Sequence, residues 1–326
     1  MMIWTAFAVI AAVIILAGSR LSALAEELAR IFHISSSTVG LLLVSIVTSL
    51  PELSTSLGAV LKVGRPDLAV GNTMGSDLFN LMIIALCDLL FRKKGILRQA
   101  SHSFIPLAYY LIMISTVLLT LTLPNHIHIG QMNFNLGSLL IIALYLVLFV
   151  CMHRGGQKPQ PVETEQAPAR TGAGKTILQF AVMSIIIVIA GTMLAKLGDR
   201  IAEQTGLEQS FVGSLFLALA TSLPELTVSI AAMRIGAYDL MVGNVIGSNM
   251  FNVFVCAISD IAYTPEAFHM ADNLNPNLLF IGGCAVAMAC TAMVGTRLKK
   301  TARKVAWESI LMILLYLTGL FALYRG

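Results

Sequence analysis

The chain has 326 residues, of which 57% are hydrophobic and 12% charged, and a formal net charge of +4. A soluble domain carries roughly 25% charged residues to keep its surface in water, so this composition excludes a soluble fold and points to a surface that faces lipid. At about 20 residues per span there is room for ten helices and short loops but for no large soluble domain.

In chain order, apolar segments bounded by polar or Gly/Pro-rich punctuation predict helices over 3–19, 38–62, 67–91, 103–122 and 136–153. A second set follows over 175–197, 210–234, 238–262, 276–296 and 304–324. The opening Met1-Met2-Ile3-Trp4 has neither a basic region nor a small-residue cleavage site, and reads as the start of a retained first span. His126 and His128 follow Pro124 in a polar loop and are expected to be solvated. The cysteines, Cys87, Cys151, Cys256, Cys284 and Cys290, lie in apolar stretches without CxxC pairing and are expected to be small buried hydrophobes. No HExxH motif, spaced His pair or nucleophile–base pattern occurs, so neither a zinc site nor an intramembrane enzyme is predicted.

Residues 154–174, rich in Pro, Gly and charge, form a linker between a five-helix half at 1–153 and another at 175–326. If the N-terminus is outside, the inside loops collect most of the 21 basic residues. These are Arg20 and Arg30, Arg92 to Arg98, the linker residues Arg154, Lys158, Arg170 and Lys175, then Arg234, and finally Arg297 to Lys304. The positive-inside rule favours this arrangement, with both termini outside and the linker cytoplasmic.

Two stretches repeat one pattern. Gly18 matches Gly191, Gly40 matches Gly213, and Thr48-Ser49-Leu50-Pro51-Glu52 matches Thr221-Ser222-Leu223-Pro224-Glu225 at a constant offset. The offset then shortens by one residue. Asp67 pairs with Asp239, Gly71-Asn72 with Gly243-Asn244, Gly75-Ser76 with Gly247-Ser248, Asn80 with Asn252 and Asp88 with Asp260. The repeats span about 38–91 and 210–262. Units of five spans, an odd number, enter the membrane from opposite sides. The expected fold is therefore an all-α membrane protein of ten transmembrane helices arranged as two inverted five-helix repeats, the architecture of secondary transporters.

Glu52 and Glu225 lie inside apolar spans, where an ionised carboxylate costs several kcal/mol unless it faces a cavity or a partner. Each follows a proline, which removes a backbone donor and frees a carbonyl one turn earlier, near Val47/Thr48 and Ala220/Thr221. Helical spacing adds Ser45, Ser49 and Ser56 to the Glu52 face, and Ala218, Ser222 and Ser229 to the Glu225 face. Asn72, Ser76 and Asn80 form a stripe in the third span, and Asn244, Ser248 and Asn252 form its counterpart in the eighth. One Ser or Asn alone is ordinarily an interhelical hydrogen bond, and the GxxxG pairs Gly71/Gly75 and Gly243/Gly247 serve close packing. The glutamate pair is different, because no basic residue stands inside these four spans to neutralise it. A cation or a proton must do so, and carboxylates with carbonyls make a hard-oxygen site suited to Ca²⁺ and Na⁺.

The paired Thr-Ser-Leu-Pro-Glu segments and the paired Gly-Asn-x-x-Gly-Ser-x-x-x-Asn segments resemble the α-repeats of the cation/calcium exchanger superfamily, specifically its prokaryotic Na⁺/Ca²⁺ exchanger branch. The resemblance implies that Glu52 and Glu225 are shared central ligands for Ca²⁺ and Na⁺. Thr48, Thr221, Ser45 and Ala218 would supply backbone carbonyls. Ser49, Ser76, Ser222 and Ser248 would complete flanking Na⁺ sites, and Asn80 and Asn252 would line the centre. The chain departs from the family pattern at Val47 and Ala220, where Gly is usual, and at Asp77, where the second copy has Asn249. Asp77 can raise the site's charge, carry a proton, or sit at an interface. Asn252 stands where K⁺-dependent relatives have Asp, which weakens a case for K⁺ cotransport.

The implied function is electrogenic, Na⁺-driven Ca²⁺ extrusion by alternating access across the cell membrane. Proton-coupled exchange of Ca²⁺ or another divalent cation is the alternative, since a proton can also neutralise a buried carboxylate. The expected partners are the transported Ca²⁺ and Na⁺ and the lipid bilayer. No organic cofactor, nucleic acid or obligate protein partner is expected.

Overall fold

Residues 2–64, 66–91, 104–122, 126–129, 132–154, 172–206, 219–263, 277–297 and 307–325 are described by the computed structural model. Helix α1 spans Met2–Ile31. Helix α2, Ser36–Val63, winds wider in π-type turns at Gly40–Val44 and Ala59–Val63 on either side of its α-helical middle. Then come α3 (Pro66–Leu90), α4 (Phe104–Thr122), strands β1 (His126–Ile129) and β2 (Met132–Asn135), and α5 (Leu136–Arg154). The remaining helices are α6 (Ala173–Thr205), α7 (Leu223–Arg234), α8 (Tyr238–Ala262), α9 (Asn277–Arg297) and α10 (Trp307–Arg325).

Seven of these helices are long and apolar enough to cross a membrane among the described residues, against the ten expected. The apolar runs of α5 and α10 are shorter, and of the predicted helix 210–234 the first residues lie outside the described set. The fold is otherwise helical, with one exception to the all-α expectation. The polar loop carrying His126 and His128 forms an antiparallel hairpin, β1 against β2. Residues 155–171 of the linker also lie outside the described set.

Two helices outrun their predicted ends. At 1.5 Å per residue α1 and α6 are about 45 and 50 Å long, beyond the roughly 30 Å hydrocarbon thickness. Arg20 and Arg30, assigned to a loop from the sequence, stand on α1 itself. Charge there ends the lipid-facing stretch, not the helix, because the apolar face continues through the buried Leu21, Leu24, Ala25 and Leu28. These two helices lie side by side. Arg20 reaches Gln179 at 3.3 Å, and Thr176 donates to Glu27 at 3.3 Å.

Burial separates periphery from centre. In α8 89% of the apolar window is buried and in α3 72%, against 17% in α1 and 22% in α6. The less apolar α2, α3, α7 and α8 thus form the core, and the more apolar α1 and α6 cross it on the outside, α1 over α7 and α6 over α2. A Cβ added at Gly40 or Gly243 would strike the facing backbone of α8 or α2, and one at Gly247 would strike Leu41 and Ser45. The GxxxG pair 243/247 therefore brings α8 against α2. The matching pair 71/75 meets no facing backbone among the described residues, and the segment equivalent to 37–45, residues 210–218, lies outside them.

The two sequence halves interlock. Helices α9 and α10 pack on α3, while α4 and α5 pack on α8. Matched hydrogen bonds fasten both exchanges. Ser309 on α10 donates to Asp88 on α3 at 2.8 Å, and Ser138 on α5 donates to Asp260 on α8 at 2.5 Å. Asp88 and Asp260 are equivalent repeat positions. Of the cysteines, Cys87, Cys256 and Cys284 are buried as expected, whereas Cys151 and Cys290 face outward.

Candidate cation site

The two copies hold their glutamates differently. Pro51 lies inside continuous α2, so Glu52 stands mid-helix and the Val47 carbonyl has lost its usual donor. In the second copy the chain breaks at Ser222 (φ −95°, ψ 18°) and restarts as α7 with Pro224 in its first turn. Proline costs little there, because the first N–H groups of a helix have no acceptor. Glu225 consequently occupies the first turn of α7, where the helix dipole favours negative charge. The sequence predicted two equivalent settings, and the structure gives one mid-helix and one helix-start carboxylate.

Both glutamates are buried, at 1% and 0% exposure, and so are Ser45, Thr48, Ser49, Ser56, Ser222 and Ser229 around them. Ser76, Asn80, Asn244, Ser248 and Asn252 are buried on the facing helices α3 and α8. Thr221 is half-buried, and Ala218 lies outside the described residues. Hydrogen bonds tie the copies together across the core. Ser49 Oγ donates to Glu225 Oε1 at 3.0 Å. Its counterpart Ser222 donates to Ser76 Oγ at 3.3 Å, and Ser76 in turn reaches Glu52 Oε1 at a long 3.5 Å. Thr48 Oγ1 lies 3.3 Å from Ser248 Oγ and 3.4 Å from Asn244 Oδ1. Asn72 donates to Ser56 at 2.9 Å, and Asn244 to Ser229 at 3.4 Å.

Ser45 turns its hydroxyl back onto the Leu41 carbonyl at 2.5 Å, and its own carbonyl accepts from Thr48 Oγ1 at 3.2 Å. What Ser45 can present to an ion is therefore that carbonyl, not the side chain. Asp77, for which the sequence left a charge, proton or interface role open, is buried among α3, α4 and α8. It accepts from Asn252 Nδ2 and from Tyr110 Oη, each at 3.0 Å. Tyr110 was not anticipated. Its one signal is a phenol in an apolar span, which must find an acceptor once buried.

The electrostatics follow from what remains unpaired. Glu52 Oε2, Glu225 Oε2, Asn80 Oδ1, Asn249 Oδ1 and Asn252 Oδ1 are buried without a hydrogen-bond partner. All five are acceptors. A buried acceptor lacking a donor costs about 1–3 kcal/mol, and more when charged. Among the described residues no group of three or more His, Cys, Asp or Glu converges. The donor set is two carboxylates with amide, hydroxyl and carbonyl oxygens, which suits hard cations of the Na⁺ and Ca²⁺ type rather than zinc.

Comparison with known proteins agrees with this chemistry. The family model described as sodium/calcium exchanger protein matches residues 2–153 and 175–325. The chain is 28% identical over 285 residues to the inner membrane protein YrbG of Escherichia coli, covering 85% of each chain. It is 24% identical over 345 residues to the sodium/calcium exchanger MaX1 of Methanosarcina acetivorans, covering 92% of each. A structure of the sodium-calcium exchanger NCX_Mj soaked with 2.5 mM Na⁺ and 0.1 mM Ca²⁺ shares the fold. Its TM-score is 0.71 at 20% identity, over 98% of this chain and 97% of that one.

Proposed function

We propose that this chain, which belongs to the sodium/calcium exchanger protein family, is a secondary active antiporter that exchanges Na⁺ for Ca²⁺ by alternating access. The observation that carries this reading is the buried Glu52–Glu225 pair, each with one oxygen lacking any hydrogen-bond partner. Two carboxylates balance one Ca²⁺. If more than two Na⁺ replace it, net charge crosses the membrane, each charge worth about 2.3 kcal/mol per 100 mV.

In this reading Glu52 and Glu225 are the shared ligands, with Asn80 and Asn252 lining the centre. Thr48, Thr221, Ser45 and Ala218 contribute carbonyls, and Ser49, Ser76, Ser222 and Ser248 complete flanking Na⁺ positions. The ten helices form two inverted five-helix halves, 1–153 and 175–326. The excess of basic residues in alternate loops supports both termini outside and the linker 154–174 in the cytoplasm. A relative named as an inner membrane protein supports a place in the cell membrane. The chain is read as a transporter with no enzymatic step.

The test is ⁴⁵Ca²⁺ uptake into proteoliposomes loaded with Na⁺. Uptake should follow the imposed Na⁺ gradient, respond to membrane potential, and be lost in Glu52→Gln. Uptake driven by a pH gradient without Na⁺ would assign proton coupling instead, and uptake surviving Glu52→Gln would remove the site.

A further inference from the structure

Asp77 is a further buried carboxylate beside the site, and the exchange chemistry above does not use it. Each of its oxygens accepts one hydrogen bond, Oδ1 from Asn252 Nδ2 and Oδ2 from Tyr110 Oη, both at 3.0 Å, while its backbone carbonyl accepts from Asn249 Nδ2 at 3.1 Å. Because Asn252 Nδ2 is the atom that donates to Asp77, the amide shows its NH₂ to this carboxyl group and turns its carbonyl oxygen elsewhere. The consequence is visible in Asn252, whose Oδ1 is buried and free of any partner. Asn252 stands one turn beyond Ser248, which meets Thr48 of α2, on the stripe that faces the glutamates. With its amide reversed, the same side chain would place a donor where a cation needs an oxygen.

We propose that Asp77 is a positioning residue that clamps the Asn252 amide so that its carbonyl oxygen is presented to the transported cation. The inference rests on the reading of Asn252 as a cation ligand. It is one-sided in the repeat, because the position equivalent to Asp77 is Asn249, whose Oδ1 accepts from nothing. The Asn80 amide therefore has no matching clamp.

The experiment is a double-mutant cycle in proteoliposomes. It measures half-saturating Ca²⁺ and maximal rate separately, with the detergent unfolding midpoint as a fold control. Asp77→Ala should raise half-saturating Ca²⁺ about tenfold, as should Asn252→Ala, and the double variant should be no worse than the worse single. Asp77→Asn keeps an acceptor for Asn252 Nδ2 and can donate to Tyr110 Oη, so it should remain within about threefold of the parent. If Asp77→Ala does not fold, Asp77→Leu carries the same expectation. Additive effects, an unchanged value in Asp77→Ala, or an Asp77→Asn variant as impaired as Asp77→Ala would overturn the clamp. An unchanged value in Asn252→Ala would remove the ligand reading itself. An impaired Asn252→Ala beside a normal Asp77→Ala would remove the clamp alone.

Discussion

Replacing Glu225 by glutamine keeps the side chain's shape and the bond from Ser49, but it puts an NH₂ in place of the unpartnered Oε2 and deletes one of two buried charges. Removing one charge from a buried, paired set costs about 2–5 kcal/mol, so Ca²⁺ affinity should fall at least about 30-fold. The same change has a second, opposite signature. Without a cation, the parent must either bury an unpaired carboxylate or take up a proton there, and the variant's neutral amide avoids both, so the cation-free variant should unfold at a midpoint no lower than the parent's. At Ca²⁺ of 100 times Kd the parent gains about 2.7 kcal/mol. With an unfolding entropy of about 2.1 cal/mol/K per residue over 326 residues, that gain is about 4 °C. In the variant at the same Ca²⁺ the gain shrinks to about 1 °C. Differential scanning fluorimetry in detergent, with and without Ca²⁺, reads both numbers. A full Ca²⁺ shift in Glu225→Gln, or a clear drop in its cation-free midpoint, would refute the assignment of Glu225 as a charged ligand.

The two serine contacts predict an order. Ser49→Ala loses a 3.0 Å bond to Glu225, and hydrogen bonds to charged groups are worth about 1.5–3 kcal/mol, so it should weaken Ca²⁺ binding about tenfold or more. Ser76→Ala loses only a 3.5 Å contact and should cost less; calorimetric titration that reversed the order would count against the geometry. Gly247→Ala must push α8 away from Leu41 and Ser45 and should destabilise by about 1–3 kcal/mol, whereas Gly283→Ala, with open space beside it, should leave the unfolding midpoint within a degree or two. Gly191 sits against the rings of Pro51 and Pro224, where an added Cβ would lie 2.6 Å from Pro51 Cγ. Gly191→Ala should therefore slow transport more than Gly18→Ala, whose nearest obstacle is the Thr227 methyl at 2.9 Å, and flux assays on the pair check this.

Which residues could form the candidate cation site was legible in the chain because lipid leaves little room for accident. A carboxylate in an apolar span has to be explained by an ion or a partner, and the lack of any basic residue inside the four polar-striped spans removed a salt-bridge partner as an explanation. Helical spacing then brought Ser49, Ser76, Asn80, Asn244 and Asn252 to the faces that are buried together, while Asn72 at the stripe's start is half-buried. Helix ends were legible only where apolar character and backbone winding stop together. They part company in α1 and α6, which continue past Arg20 and Arg200 on a buried apolar face.

Tertiary structure decided what depends on packing between segments far apart in the chain. Equal sequences around Pro51 and Pro224 gave a continuous helix in one copy and a break at Ser222 in the other. Local propensity is the same within the shared Thr-Ser-Leu-Pro-Glu-Leu segment, so the difference comes from outside that segment. The partners of Asp88, Asp260 and Asp77 sit on helices from elsewhere in the chain, and no spacing rule reaches them. A sequence states which oxygens are available. Which of them keep a hydrogen-bond donor, and which are left to bind a cation, is fixed only when the helices close around them.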